Sequence, residues 1–287
     1  MSYPGSRHQE NEWGVTIYST ADGTRPAAAF GSSITPAQNT YGTPVQLISG
    51  ASMTVDCCEI TFVLNSVGIS GSARDSVFQF LVDPAGGTSY TSVADLVAGP
   101  AAGYVVANVG GGGVEYTFRY WLRAGTSVAM AAAVNSATVT AVRAFCRVRG
   151  APSRPQDVFV GTYLDQFGVS LATSAGTTIT PGGASDGTWT QIGSNATRPY
   201  YQIEFGYGIN SATMTTATID ADIGVGDSSN KKIAVPNCPI LVSSVETLSK
   251  ASKLWFSTVA PGDGLWARSQ SSTAADTNNS VAIYGVG

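Results

Sequence analysis

The sequence is poor in charged residues. Asp, Glu, Lys and Arg make up 12% of its 287 residues, which is about half the usual share of a soluble globular protein. Lysine occurs only four times, whereas long helices carry Lys, Arg and Glu on their exposed faces. The shortage of charge therefore argues against long helices and favours strands whose outer faces are polar but uncharged.

Histidine is almost absent, because His8 is the only one. Ser-His-Asp and Cys-His mechanisms need a histidine as the base. His8 lies in a polar N-terminal segment and is a poor candidate for this role. The sequence also lacks a Gly-x-Ser-x-Gly elbow, a phosphate-binding loop followed by a helix, and a dinucleotide fingerprint. We therefore predict no catalytic residues, no cofactor and no enzymatic activity.

Metal sites, nucleic-acid binding and membrane spans are not predicted either. The cysteines show no metal-ligand spacing and are interpreted as free thiols: Cys57, Cys58, Cys146 and Cys238. The formal net charge of −4 disfavours phosphate binding. No stretch is apolar for long enough to span a bilayer, and Met1–Glu12 lacks the apolar region of a signal peptide.

The chain contains an internal repeat. Gly31–Ser66 aligns without a gap on Gly176–Ser211 at an offset of 145 (176 − 31), and 12 of these 36 positions are identical. Near the ends of the two copies, Gly150 matches Gly287 at an offset of 137 (287 − 150). The second copy is therefore shorter by eight residues (145 − 137) in its middle. Such self-similarity indicates two copies of one domain.

The repeat predicts the domain organisation. We expect a polar N-terminal arm at 1–13, a first β-sandwich at 14–150, a linker at 151–155 and a second β-sandwich at 156–287. The linker reads Ala-Pro-Ser-Arg-Pro, and a segment rich in proline and polar residues is typical of a short extended connection.

Alternation at period two predicts strands in both copies. Cys58–Phe62 and Tyr201–Phe205 alternate apolar and polar residues in the same phase, whereas Val77–Val82 is a nearly continuous apolar run, typical of a strand buried on both faces. Further strands are predicted at Glu115–Leu122, Ser127–Ala133, Val139–Val148, Thr216–Ile223, Pro239–Val245, Lys253–Val259, Gly264–Ser269 and Ser280–Val286. One helical turn is predicted near Ser92–Val97. The fold class is all-β, with tandem duplicated antiparallel β-sandwich domains, jelly-roll-like, of about eight strands each.

Two groups of residues are candidates for binding. The basic residues of the first copy are Arg119, Arg123, Arg143, Arg147 and Arg149; they either mark ordinary strand ends or form a docking surface for an acidic partner. The aromatic residues of the second copy are Tyr200, Tyr201, Phe205 and Tyr207; they either pack in a core or interface or hold a glycan. Glu59 and Glu204 match at the offset of 145, and we favour a structural hydrogen bond over a shared binding pocket for both.

The end of the chain resembles a known group of proteins. Ala260–Ser272 reads APGDGLWARSQSS, and Val281–Gly285 reads VAIYG. Together with Thr273–Asp276 and Ile233–Asn237, these residues resemble the C-terminal signature of β-sandwich proteins found among tailed-phage virion genes, in which an Ala-Arg-x-Gln-Ser strand precedes a final Val-x-Leu-Tyr-Gly strand. The likeness covers roughly the second copy. The first copy has Ala131–Val134 in place of the Arg-Ser-Gln and is expected to make a different contact.

The resemblance implies a function. It implies a non-enzymatic structural component of a tailed-phage virion, made in the host cytoplasm, such as a head decoration, fibre, collar or tail-associated protein. Partners would be further copies of the chain, with trimers expected from the resemblance, and capsid, portal or tail proteins. The alternative is a carbohydrate- or receptor-binding module on the particle surface that contacts a host glycan.

Overall fold

The computed structural model describes residues 15–19, 31–65, 76–98, 114–134, 142–151, 159–170, 176–183, 185–209, 217–242, 258–272 and 279–287. Within these residues all regular secondary structure is β-strand. Ten strands precede residue 152: β1 (Val15–Tyr18), β2 (Ser32–Ile34), β3 (Ala37–Gln38), β4 (Val45–Ile48), β5 (Asp56–Asn65), β6 (Ser76–Asp83), β7 (Thr91–Ala98), β8 (Val114–Phe118), β9 (Ser127–Val134) and β10 (Val142–Ala151). Eight follow residue 158: β11 (Leu164–Phe167), β12 (Thr177–Ile179), β13 (Thr190–Gln191), β14 (Gln202–Ile209), β15 (Ala217–Gly226), β16 (Lys231–Val242), β17 (Gly264–Ser271) and β18 (Asn279–Val286).

The first ten strands form two sheets around one core. One sheet has the order β1-β10-β5-β8, with β2 also paired to β10, and the other has the order β3-β9-β6-β7, with β4 also paired to β9. Phe62 of β5 and Phe80 of β6 meet between the sheets, with ring centroids 4.8 Å apart. Both side chains are fully buried, because alternate residues of each strand point into the core.

The last eight strands repeat this arrangement. One sheet has the order β11-β18-β12, with β14 also paired to β18, and the other has the order β13-β17-β15-β16. Phe205 of β14 and Ile283 of β18 are buried in one core with Ile223 of β15 and Leu265 of β17. Both halves are thus β-sandwiches, and all but one of the described pairings between named strands are antiparallel. The fold class predicted from the sequence is confirmed.

The strand registers show that the two halves are copies. Val45 lies opposite Met130 in the first copy, and Thr190 lies opposite Ala267 in the second. The offsets are 145 (190 − 45) and 137 (267 − 130), the two values found in the sequence. A parallel contact recurs at the same offsets, between Ala37 and Ala133 and between Gly182 and Gln270.

The match of Glu59 with Glu204 is corrected by the register. Thr61 lies opposite Arg147, and Glu204 lies opposite Tyr284. Because Arg147 and Tyr284 are related by the offset of 137 (284 − 147), Glu204 occupies the position of Thr61 and not that of Glu59. Two of the eight missing residues therefore precede β14, a deletion that the ungapped alignment could not place.

Several predicted elements differ from the structure. Ser92–Val97 is not a helical turn, because β7 pairs with β6 along its length and buries Ala94, Leu96 and Ala98 at period two. Strand β16 begins at Lys231, eight residues before the predicted strand (239 − 231). It accommodates its prolines because it lies at the edge of its sheet. The predicted strand at Lys253–Val259 lies mostly outside the described residues.

The domain boundaries stay a prediction. Strand β10 runs through Ala151, the residue predicted to begin the linker, and residues 152–158 lie outside the described residues. The predicted arm at 1–13 also lies outside them.

Strand β18 is buried on both faces. Val281 and Ile283 point into the core of the second copy. Ala282, Tyr284 and Val286 point the other way and join the core of the first copy. One strand thus belongs to both cores, because alternate side chains of a strand point to opposite faces.

Tyr284 makes the central contact between the copies. Its hydroxyl accepts a hydrogen bond from the Val97 backbone N–H at 2.9 Å and donates one to the Asp95 carbonyl at 3.0 Å. Its ring packs edge-on against Tyr116 and Phe118, with centroids 5.2 and 5.9 Å apart. The residue therefore fills the first core and satisfies backbone groups on the free edge of β7.

Substitution of Tyr284 should destabilise the protein. Tyr284→Phe leaves two backbone groups of β7 without their partner and should lower the free energy of unfolding by about 1–3 kcal/mol. Tyr284→Ala also leaves a cavity and should cost about 3–5 kcal/mol. Urea unfolding measures both values. As a control, Tyr201→Phe removes an exposed hydroxyl and should stay within about 0.5 kcal/mol of the parent. Equal stability of Tyr284→Phe and the parent would contradict the assignment.

Candidate functional site

The free edge of β8 is capped by side chains from the second copy. Gln202 accepts a hydrogen bond from the Arg119 N–H at 3.0 Å and donates one to the Thr117 carbonyl at 2.8 Å. The Glu204 carboxylate accepts from the Thr117 N–H at 2.9 and 3.1 Å. Both side chains are almost fully buried. Exposed strand edges invite unwanted pairing, so these contacts protect the sheet while joining the copies.

Glu204 therefore has a structural role in the joint. Its carboxylate accepts a hydrogen bond from a backbone group of the other copy. Within the described residues its oxygens are turned to the β8 edge rather than to an open pocket.

Removal of the Glu204 carboxylate should lower stability. Glu204→Ala leaves the buried Thr117 N–H without this acceptor and should reduce the free energy of unfolding by about 1–3 kcal/mol. Glu204→Gln keeps an oxygen acceptor and should lose less. Thermal and urea unfolding of both variants provide the measurement. A melting temperature of Glu204→Ala equal to that of the parent would refute the structural role.

The predicted arginine group is only partly brought together. Arg147 donates to the Thr61 hydroxyl at 3.2 Å, and Arg149 lies 3.7 Å from Glu59 on the outer face of the same sheet. Burial raises the pKa of Glu59, although Arg149 and other arginines oppose the shift. The face is therefore a mixed network rather than a purely basic patch.

The other arginines of this group have different surroundings. Arg143 donates to the Gly31 carbonyl at 3.2 Å. Arg119 is buried at the end of β8, and burial lowers the pKa of its guanidinium. Arg123 is exposed beside the turn before β9. Docking of an acidic partner at these arginines stays a prediction.

The four predicted aromatic residues do not form an exposed platform. Tyr200, Phe205 and Tyr207 are buried in the core of the second copy, whereas Tyr201 is 44% exposed. Phe205 and Tyr207 point inward because they alternate with Glu204 and Gly206 along β14. Of the two interpretations, core packing applies to the three buried rings, which have no free face for a sugar.

A polar cluster surrounds the Tyr200 hydroxyl. The Asp165 carboxylate accepts hydrogen bonds from Arg198 Nε and from the Tyr200 hydroxyl, both at 2.6 Å, and the Arg198 guanidinium lies 3.9 Å from the centre of the Tyr163 ring. Partial burial raises the pKa of Asp165, but the bonds from Arg198 and Tyr200 outweigh it and hold the pKa below its usual value. Burial and the bond to Asp165 raise the pKa of Tyr200 to about 12.

Asp165 should make stability depend on pH. Its folded pKa lies below the value of the unfolded chain, about 3.9, so its contribution is complete above that value and is lost as the pH falls through the folded pKa. Asp165→Asn should therefore lose less stability than the parent between about pH 6 and about pH 3. Melting temperatures at both values measure this difference. An identical fall in both proteins would argue against the assignment.

The outer face of the β13-β17-β15-β16 sheet carries a different cluster, which we call the tryptophan face. Its members are Trp189, Trp266, Arg268, Asp222 and Asp186. Arg268 Nη2 lies 2.8 Å from carboxylate oxygens of both Asp186 and Asp222, and its Nε donates to Asp222 at 2.9 Å. The guanidinium lies 4.6 Å from the centre of the Trp189 ring. Two carboxylates and an indole thus fix one arginine.

The alternation of residues along β17 is the sequence signal for this face. Trp266, Arg268 and Gln270 alternate along β17 with Ala267 and Ser269, which are buried. This spacing places the three larger side chains on the outer face. Arg268 and Gln270 belong to the Ala-Arg-x-Gln-Ser segment, but Trp189 is distant in sequence, and only the pairing of β13 with β17 brings it close.

The first copy has closed the corresponding face. At the offset of 137, Ala129 and Ala131 occupy the positions of Trp266 and Arg268. These alanines are buried with Leu81, and Tyr41 and Tyr90 pack against them. The two copies therefore present different outer surfaces on equivalent sheets.

The described residues show neither a metal-binding cluster nor a membrane-spanning helix. There, no three or more His, Cys, Asp or Glu residues gather as a metal site would require. In the same part, no helix has the length and apolar character needed to cross a membrane. None of the described cysteines forms a disulfide bond.

Comparisons with known proteins show no family. No protein-family model matches the sequence, and no curated protein matches it. The resemblance to tailed-phage proteins therefore stays a hypothesis.

Solved structures match the chain only distantly. PNGase F, a glycosylasparaginase from Flavobacterium meningosepticum, is 9% identical, with 95% of each chain covered and a TM-score of 0.36. The CBM22-1-CBM22-2 tandem domain of Xyn10C from Paenibacillus barcinonensis is 14% identical, with 92% of this chain and 90% of that chain covered and a TM-score of 0.27. A chain in the structure of Broad Bean Stain Virus is 10% identical, with 93% of each chain covered and a TM-score of 0.31. Likeness at this level assigns no function to this chain.

The prediction that the chain is not an enzyme is corrected by these comparisons. Structures of PNGase F and PNGF-II are among the matches, and they contradict it. Their TM-scores, between 0.32 and 0.36, do not assign their activity to this chain. Because a fold does not determine a function, the lack of familiar catalytic motifs does not exclude an enzyme, and that prediction is not retained.

Proposed function

We propose that this chain is a structural component of the surface of a tailed-phage virion, of the decoration, fibre or collar type. The observation that supports the proposal is the resemblance of Ala260–Ser272 and Val281–Gly285 to proteins of such particles. These two segments include most of β17 and β18. They lie at the centre of the second sandwich, and β18 also joins it to the first.

The joint suits a component of a particle surface. Tyr284, Gln202 and Glu204 tie the second sandwich to the free edges of β7 and β8, so that the two domains are held by a core as well as by hydrogen bonds. A domain pair joined in this way resists relative motion more than a pair connected by a linker alone. A protein that covers a particle surface or holds two of its parts apart needs this resistance to motion.

The edge of the second sandwich also suits assembly without uncontrolled pairing. Strand β16 lies at the edge of its sheet and carries Lys231, Lys232, Pro236 and Pro239. Lysine and proline on edge strands oppose the addition of further strands. We propose that copies associate as closed homo-oligomers, with trimers as the first model, and that the arm at 1–13 and the arginines of the first copy contact capsid, portal or tail proteins.

Purified particles provide the test of this role. The chain should appear in phage particles purified by density gradient, at a copy number that is a multiple of the symmetry of one particle structure. Quantitative mass spectrometry measures the copy number, and gold-labelled antibody locates the chain on the head, collar or tail. A lysate from cells without phage is the control. Absence of the chain from purified particles, with presence in the infected cell, would overturn the proposal.

A further inference from the structure

We propose that the tryptophan face is a carbohydrate-binding site. The indoles of Trp189 and Trp266 would stack on sugar rings, and the fixed guanidinium of Arg268 would hydrogen-bond ring hydroxyls. This activity goes beyond a structural role on a particle. It does not depend on that role, because the purified chain alone should bind the sugar.

The two indoles are held in place against the sheet. A Cβ atom added to Gly224 would lie 3.0 Å from the Trp189 ring, so the ring rests on a glycine that leaves room for it. Trp266 Nε1 donates to the Gly226 carbonyl at 2.9 Å, and the Lys231 ammonium lies 4.4 Å from the centre of the Trp266 ring. Both tryptophans are partly buried and keep part of their surface open to solvent. Rings that are already ordered lose little entropy when a ligand stacks on them.

The polar part of the face is also ordered before any ligand arrives. Asp222 is buried, and while one of its oxygens binds Arg268, the other accepts from the Asn237 N–H at 2.7 Å. Asp186 is more open, with 36% of its side chain exposed, against 22% for Arg268. Sugar hydroxyls both donate and accept hydrogen bonds. An arginine paired with an open carboxylate offers donors and acceptors side by side.

The chemistry of the face favours a sugar over a protein partner. Among the described residues, the large exposed hydrophobic side chains are Tyr201 and Ile233. Ile233 is paired with Gly224, and Gly224 with Trp266, in one cross-strand row. The apolar part is thus a narrow strip beside an ion-pair network. A protein interface that buried this network would remove charges from water at a cost, whereas a saccharide leaves them partly solvated.

The first copy supports the assignment of the site to the second copy alone. Leu81 occupies the position of Gly224 at the offset of 143 (224 − 81), as the β6 and β15 registers show. With Leu81 there, and Ala129 and Ala131 in place of Trp266 and Arg268, the face has neither the indoles nor the guanidinium. Tyr41 and Tyr90 pack over it. Duplication thus left one open face and one closed face.

An array of purified bacterial O-antigens, capsular polysaccharides and peptidoglycan fragments provides the test, with the full-length chain as the probe. We expect binding to at least one saccharide class. Trp189→Ala and Trp266→Ala should each weaken that binding by about two- to tenfold, because each variant removes one ring on which a sugar can stack. Titration of the bound saccharide by calorimetry measures the change.

Tyr90→Ala is the matched control, because it removes an aromatic ring from the equivalent, closed face of the first copy and should leave binding unchanged. Thermal unfolding of every variant shows which ones fold, and Trp189→Phe replaces any alanine variant that does not. The proposal is overturned if no saccharide binds, if both tryptophan variants bind as well as the parent, or if they change only the oligomeric state. Incorporation into particles is measured separately, so loss of one role leaves the other open.

Discussion

The burial of β18 on both faces is the constraint on which the arrangement of the two sandwiches depends. A strand in the middle of a sandwich normally has one face toward its own core and one toward solvent. In β18, Val281 and Ile283 serve the second core while Ala282, Tyr284 and Val286 complete the first. The first sandwich is open between β7 and β8, and this apolar face closes it. The two copies therefore meet through an apolar face of β18 that belongs to the core of the first copy.

Polar groups at the joint follow from the same arrangement. Placing a sheet across two strand edges would leave backbone N–H and C=O groups buried without partners, at a cost for each one. Gln202, Glu204 and the Tyr284 hydroxyl reach these groups. Glu204 lies where the first copy has Thr61, whose hydroxyl bonds Thr117 at 3.1 Å within its own domain. A position that stabilises one copy internally has become, in the other, a contact between the copies.

The copies have also diverged on their outer faces. In the first, Leu81 and two alanines of β9 are covered by tyrosines. In the second, Gly224 leaves room for Trp189, and the ion pairs of Arg268 order the surface beside it. Because outer-face positions of a sandwich contribute less to its core, they can change without altering the fold. Duplication has thereby produced one surface that is closed and one that is available for a ligand.

The sequence by itself determined the class of fold, the duplication and most strands, because these depend on local patterns: period-two alternation, turn residues and a fixed offset between copies. The apolar run of Val77–Val82 predicted a strand buried on both faces, and β6 is such a strand. Only the tertiary structure decided which side chains are buried and which are available. All five residues are aromatic, yet Tyr200, Phe205 and Tyr207 lie in the core. Trp189 and Trp266 lie partly exposed on the outer face of a sheet. Three features depend on pairing between distant segments, which no local pattern encodes. They are the contact of Trp189 with Arg268, the two-residue shift before β14 and the closure of the first core by the second copy.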